Sequence, residues 1–125
     1  MTYPEHLRLD RIKETTVARL TGEIDLSNAA ILKRSIAESV SNQDLTLVLD
    51  LSEVTYLDSA GIAMLFDLSR RLTQHQQRLI LVVPKVSLLH RSLRVSGWPT
   101  SSSVVERVED AIGSPPVDRY GYERL

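Results

Sequence analysis

The stretch LTLVLDLSEVTYLDSAGIAML, residues 45–65, decides how this chain folds. Its first seven residues are nearly all apolar, the pattern of a strand covered on both faces. From Ile62 onward the apolar residues return at helical spacing. The expected core stripe is Ile62, Leu65, Ser69 and Leu72, flanked by Phe66 and Leu68; Ala63, Met64, Asp67, Arg70 and Arg71 then fall on the other side. Between strand and helix stand Asp58, Ser59, Ala60 and Gly61: an acid, a hydroxyl and two of the smallest side chains. Such a junction places them at the carboxyl end of a central strand, where ligands of open α/β sheets collect. It also places them at a helix N-terminus, whose first N–H groups lack partners.

Working outward, LRLDRI (7–12) alternates as a half-buried strand does, Lys13-Glu14-Thr15 supplies a turn, and TVARL (16–20) reads as the second arm of a hairpin, with Val17 facing opposite to Ala18 and Leu20. Asp25 and Ser27 are candidate N-caps for a helix running to about residue 41 on the stripe Ala29, Leu32, Ile36 and Val40. RLILVV (78–83) is a further apolar strand stopped by Pro84, residues 86–95 suit a short helix with Gly97 as its stop, and a short strand at Val104 and Val105 precedes a last helix, 108–112. Residues 113–125, GSPPVDRYGYERL, lose all periodicity and read as a flexible tail. The order argues an α/β fold: a small mixed β-sheet, an N-terminal hairpin plus mostly parallel strands, backed by about four helices in one domain over 1–112.

Composition narrows the function. In 125 residues, 15 Lys and Arg nearly cancel 16 Asp and Glu, so no strong field favours nucleic acid or a membrane surface. The absence of cysteine excludes disulfides, thiolate metal sites and cysteine nucleophiles. No apolar run reaches the length of a membrane span and MTYPEHLRLD is no signal peptide, so a cytoplasmic protein is expected. His6, His75 and His90 are far apart and are expected at the surface. No phosphate-binding glycine loop is present, so no cofactor is expected.

The helix opening carries the chemistry. Asp58 or Ser59 can serve as a cap and nothing more. A glycine in a first turn costs up to about 1 kcal/mol relative to alanine, however, and the bare residues after Ser59 would leave its hydroxyl open to a partner or to modification. A phosphate there would meet backbone N–H groups and a favourable dipole. Enzyme readings fare worse. An aspartic dyad uses Asp-Thr/Ser-Gly, whereas Ala60 intervenes here, no second copy exists, and a symmetric dimer would be needed. A nucleophile elbow needs glycine where Leu57 stands.

DSAGI (58–62), following LVLDLSEVTYL, resembles the phosphorylatable motif of the anti-sigma factor antagonist (STAS) family. LTGEIDLSNA (20–29) resembles that family's segment before its first helix, and LRVSGW (93–98) and ERVEDAI (106–112) resemble its C-terminal elements. The likeness spans roughly residues 7–112 and implies a small mixed sheet backed by helices. It further implies a bacterial non-enzyme that binds an anti-sigma factor with serine kinase activity and so frees a sigma factor for transcription. Ser59 would be the phosphoacceptor, modified at the expense of the partner's ATP and reset by a serine phosphatase. Asp25 and Asp58 would form an acidic rim of the contact. From the residues themselves, Ala60 and Gly61 leave room for a partner surface, and Met64, one turn beyond Ser59, either adds apolar contact to it or is an ordinary exposed or loop-covered methionine. The protein itself is expected to be a monomer or weak homodimer. The alternative is a constitutive binding subunit of a signalling or lipid-transport assembly, with Ser59 merely capping its helix. Trp98 is expected in the core rather than at an interface.

Overall fold

The computed structural model describes residues 4–99 and 103–112; the expected tail, 113–125, lies outside them. Strands β1 (Leu7–Ile12) and β2 (Thr15–Ile24) form the hairpin, paired antiparallel from Leu7↔Leu20 to Ile12↔Thr15. Lys13 and Glu14 make the two-residue turn with φ of 49° and 65°, the mirror-type turn whose twist suits paired strands. Then follow α1 (Ala29–Ser39), β3 (Thr46–Leu57), α2 (Ser59–Gln74), β4 (Arg78–Val82), α3 (Leu89–Val95), β5 (Val104–Val105) and α4 (Val108–Ile112). The five strands lie in the order β1-β2-β3-β4-β5, and every pair after the hairpin is parallel. The expected α/β class and mixed sheet are what the chain adopts.

Residues 47–51 of β3 are buried throughout, as the apolar run required. Leu47, Leu49 and Leu51 face the large core beneath α1, α2 and α3, together with Leu32, Ile36, Leu65, Leu68 and Leu93. On the opposite face Val17, Val48 and Val82 meet Val108, Ala111 and Ile112 of α4. Val17 thus faces away from Ala18 and Leu20, as its place in the alternation demands. Leu45, expected at the start of the strand, is exposed and lies outside it.

The strands run further than their apolar runs. β2 continues to Ile24 and β3 to Leu57, where the two still pair, Ile24↔Leu57, after register shifts beyond Arg19 and Gly22. Beyond Leu51 the burial of β3 drops to every third residue, Val54 and Leu57, a pattern without strand alternation. Helix α3 starts at Leu89 rather than at 86, with Val86 and Leu88 exposed. Gly97 stops it with φ of 82°. The N–H groups of Gly97 and Trp98 return to the carbonyls of Arg94 and Leu93, a closing turn that needs the left-handed residue. Trp98 is thereby dropped into the core, edge-on to Phe66 with centroids 5.0 Å apart.

Asp44, in the α1–β3 loop, is with Asp50 one of two buried carboxylates among the described residues. Its carboxylate accepts from Thr16 Oγ1 (2.9 Å) and Ser41 N–H (3.1 Å), and the Arg11 guanidinium lies 3.0 Å away. Burial pushes its pKa up, but Arg11, Thr16 and Ser41 together outweigh this and hold it below the ordinary value. A carboxylate lowered in the folded state stabilises fully above its unfolded pKa, near 3.9, and that stability is lost as pH falls through the folded value. Asp44→Ala is expected to cost about 2–3 kcal/mol in urea unfolding at neutral pH. The deficit relative to the native chain should shrink as pH falls below about 4.

Candidate functional site

The site is built on the paired ends of β2 and β3. Ile24 and Leu57 are register partners, so Asp25 and Asp58, the next residue of each strand, emerge side by side. Asp58 is the N-cap of α2 in extended conformation. Its Oδ1 accepts the Gly61 N–H at 3.0 Å and its Oδ2 accepts the Leu26 N–H at 3.2 Å. Its own N–H donates to the Ile24 carbonyl at 3.2 Å. One carboxylate therefore holds both the first turn of α2 and the β2–α1 loop.

Asp25 does not cap α1. It accepts the Ser27 hydroxyl at 2.5 Å and the Ser27 N–H at 2.9 Å, and these bonds, the hydroxyl foremost, lower its pKa. The N-cap is Asn28, whose side chain makes no capping bond and instead accepts the Asp25 N–H at 2.9 Å and donates to the Glu23 carbonyl at 2.9 Å. A side chain occupied in closing the loop is not free to cap.

Ser59 is the first residue of α2 and is exposed. Gly61 and Met64 stand differently from the expectation. Gly61 is buried, and a Cβ there would lie 2.7 Å from Leu57 Cδ1 and 2.9 Å from the Ile24 carbonyl oxygen. The glycine is needed for close packing of helix on strand, not to keep the surface bare. Met64 is only 2% exposed and belongs to the core. The buried stripe of α2 is Gly61, Met64, Leu65, Leu68 and Leu72, whereas Ile62, Phe66 and Ser69 are half-buried. Because α1 packs alongside α2, the core sector of α2 is turned toward that neighbour, and Met64 falls within it.

Between α1 and α2, next to Ser59, runs a cleft of about 200 Å³ lined by Leu26, Ala29, Ala30, Lys33, Ala60, Ala63, Met64 and Asp67. Leu26 at its mouth is 83% exposed. Lys33 crosses it, Nζ to Asp67 Oδ2 at 3.1 Å. The sequence reading found Ala60 and Met64 but missed Leu26, Ala30 and Lys33. The available signal was the small-residue pair at the start of each helix, Ala29-Ala30 and Ala60 with Ala63. Of the histidines, His75 is exposed at the end of α2, while His6 and His90 are half-buried against the carbonyls of Thr21 (2.9 Å) and of Val83 and Pro84 (3.2 and 3.0 Å). They do not converge.

Residues 6–111 match the STAS domain family. The chain belongs to it. Among its relatives, the anti-sigma-F factor antagonist RsfB of Mycobacterium tuberculosis is 31% identical over 114 residues, 90% of this chain and 92% of RsfB. Two solved structures share the fold of this STAS domain. An anti-sigma factor antagonist from Mycobacterium paratuberculosis superposes with a TM-score of 0.74 at 22% identity, covering 90% of this chain and 97% of that one. The phosphorylated form of the Bacillus cell fate determinant SpoIIAA gives 0.67 at 23% identity, covering 86% and 96%. No helix among the described residues of this STAS domain is long and apolar enough to cross a membrane.

Glycine to alanine inside a helix ordinarily stabilises by about 0.5–1 kcal/mol. At Gly61 the sign reverses, because the new methyl meets a backbone carbonyl that the sheet holds in place. Gly61→Ala is expected to destabilise the STAS domain by about 1–3 kcal/mol, read as a lowered urea midpoint. Ala63→Gly, on the exposed side of the same helix, should cost no more than the ordinary propensity difference of about 1 kcal/mol.

Proposed function

We propose that this STAS domain is a cytoplasmic anti-sigma factor antagonist. Its unmodified surface around Ser59 binds an anti-sigma factor that is also its serine kinase, and phosphate on Ser59 expels that partner. The observation that carries the reading is the setting of Ser59: an exposed serine on the first residue of a helix whose start is pinned by Asp58. The name of its 31% identical relative points the same way. Asp25 and Asp58 form the acidic rim of the contact. Ala60 and the exposed Leu26 at the mouth of the cleft supply its apolar part, and Met64, buried beneath them, only floors it. Gly61 acts from below, by letting the helix sit close on Leu57 and Ile24. A serine phosphatase restores the binding form.

The switch works without refolding. Phosphate adds about −1.5 to −2 charges. The helix terminus returns about 0.3–1 kcal/mol per charge, and repulsion from Asp58 offsets part of it. Neither approaches the stability of a domain of this size, about 5–15 kcal/mol. A partner pressed against Ala60 must instead bury the new charge, at a cost on the order of several kcal/mol unless it supplies a counter-charge. Each 1.4 kcal/mol is about tenfold in affinity.

The test is phosphopeptide mass spectrometry after incubation with ATP and lysate of the source organism, with Ser59→Ala as control. It is followed by calorimetric titration of the purified kinase partner against the two forms. Phosphate is expected on Ser59, with binding at least about 100-fold weaker after modification and retained by Ser59→Ala. An unmodified Ser59 in a lysate with active serine kinases would instead favour the constitutive binding subunit.

A further inference from the structure

Ser59, Ala63 and Asp67 follow one another at intervals of four along one side of α2. Ser59 stands about 12 Å from Asp67 along the axis at 1.5 Å per residue. From the other wall of the cleft, Lys33 of α1 reaches Asp67 at 3.1 Å. The other oxygen of Asp67 is held by Arg70, three residues on. Asp67 therefore keeps a counter-charge when Lys33 leaves it, which makes the Lys33 contact the dispensable one of the two. Both members of the Lys33–Asp67 pair are about two-fifths exposed, 43% and 37%, and such a pair holds its lysine weakly.

The path from Lys33 toward Ser59 is short-walled. Ala29, Ala30, Ala60 and Ala63 line it, with Met64 beneath, and none of the alanines reaches far enough to bar an ammonium group. Lys33 is the one cation among the residues lining this cleft. Side chains on a helix lean toward its N-terminus. For α1 that is the Ser59 end, since Ala29 and Ala30 line the cleft together with Ala60. Beside Ser59 stand carboxylates instead: Asp58, and Asp25 across the paired strand ends. A phosphate placed there adds negative charge to negative charge.

We propose that Lys33 is the phosphate-binding residue for phosphoserine at position 59. Modification draws its ammonium off Asp67 and along the cleft, and the resulting bridge closes the cleft over Ala60 and Ala63. This rests on the assignment of Ser59 as phosphoacceptor and adds a second element to the switch. Repulsion acts on any partner that must bury the charge, whereas the bridge removes the seat itself, with no movement of the backbone.

The test uses the full chain with phosphoserine installed at position 59 by genetic encoding, which needs no kinase, and follows the second ionisation of the phosphate by phosphorus NMR. The groups facing it are Asp58 at the head of its own helix, Asp25 on the neighbouring loop with His6 of the N-terminal segment acting on it, Lys33 across the cleft, and Asp67 with Arg70 further down α2. Lys33→Gln should raise the midpoint by roughly half a pH unit, because the dianion loses a partner. Lys33→Arg should restore it. Arg34→Gln removes a like charge from the adjoining recess beyond Lys33 and Asp67, away from Ala60, and should leave the midpoint in place. Contacts between the Lys33 Cε protons and the Ala60 methyl should strengthen on phosphorylation, as the ammonium leaves Asp67 for the Ser59 end of the cleft. An unmoved midpoint for Lys33→Gln, or equal shifts for Lys33→Gln and Arg34→Gln, overturns the proposal. The titration is independent of any cellular kinase. Failure to find Ser59 modified in lysate would remove the functional reading and leave this result untouched, and a flat titration would do the reverse.

Discussion

The close approach of α2 to the paired ends of β2 and β3 is the constraint on which the site depends. It exists because residue 61 has no side chain: any Cβ would press on Leu57 and on the Ile24 carbonyl. The same approach lets one carboxylate, Asp58, reach the first turn of α2 and the loop leading to α1 together. Loop and helix start are thereby fixed to each other, and Ser59 inherits a defined position from groups on either side of it. Without that packing the helix would start at another height, and Asp58 could not hold both segments.

This explains what in the chain was legible beforehand. The strand–helix junction, the hairpin and the order of elements follow from periodicity, which senses burial on one side of one element. The exposed place of Ser59 at the start of α2 was legible because its neighbours carry a recognisable pattern. Met64 was not, because its burial comes from a second helix packed beside the first, and no single-helix projection contains that neighbour. The far half of β3 was obscured for a related reason. Register shifts against β2 and burial at every third residue remove the alternation that marks a strand. Gly61 was noticed as an anomaly in helix propensity. Its cause lay in Leu57 and Ile24, and Ile24 stands 37 positions upstream.

The charged groups divide into those that hold the fold and those left to respond. Asp44 is buried with three partners, and Arg19 ties Asp10 of β1 to Asp50 of β3 at 3.0 and 2.8 Å across the sheet face shared with α4. Asp44 and Asp50 stay put, since both are buried and losing a partner strands the carboxylate in a low-dielectric setting. The α1–α2 seam is different in kind. Its ion pair is half in solvent, redundant at Asp67, and flanked by alanines.

That division bears on how a charge placed at one surface residue could be read by a partner while the domain stays folded. The energy of a phosphate is large compared with one exposed ion pair and small compared with the sheet and its two cores. A modification at the start of α2 therefore has a weakly held side chain along the same cleft, that of Lys33, while Asp58 and Asp25 beside it are already committed to hydrogen bonds. A signal carried by side-chain exchange across a preformed cleft needs no second backbone state. The rigid junction at Gly61 and Asp58 then makes the response local: with the backbone held, new charge can act only outward on the partner or sideways along the cleft.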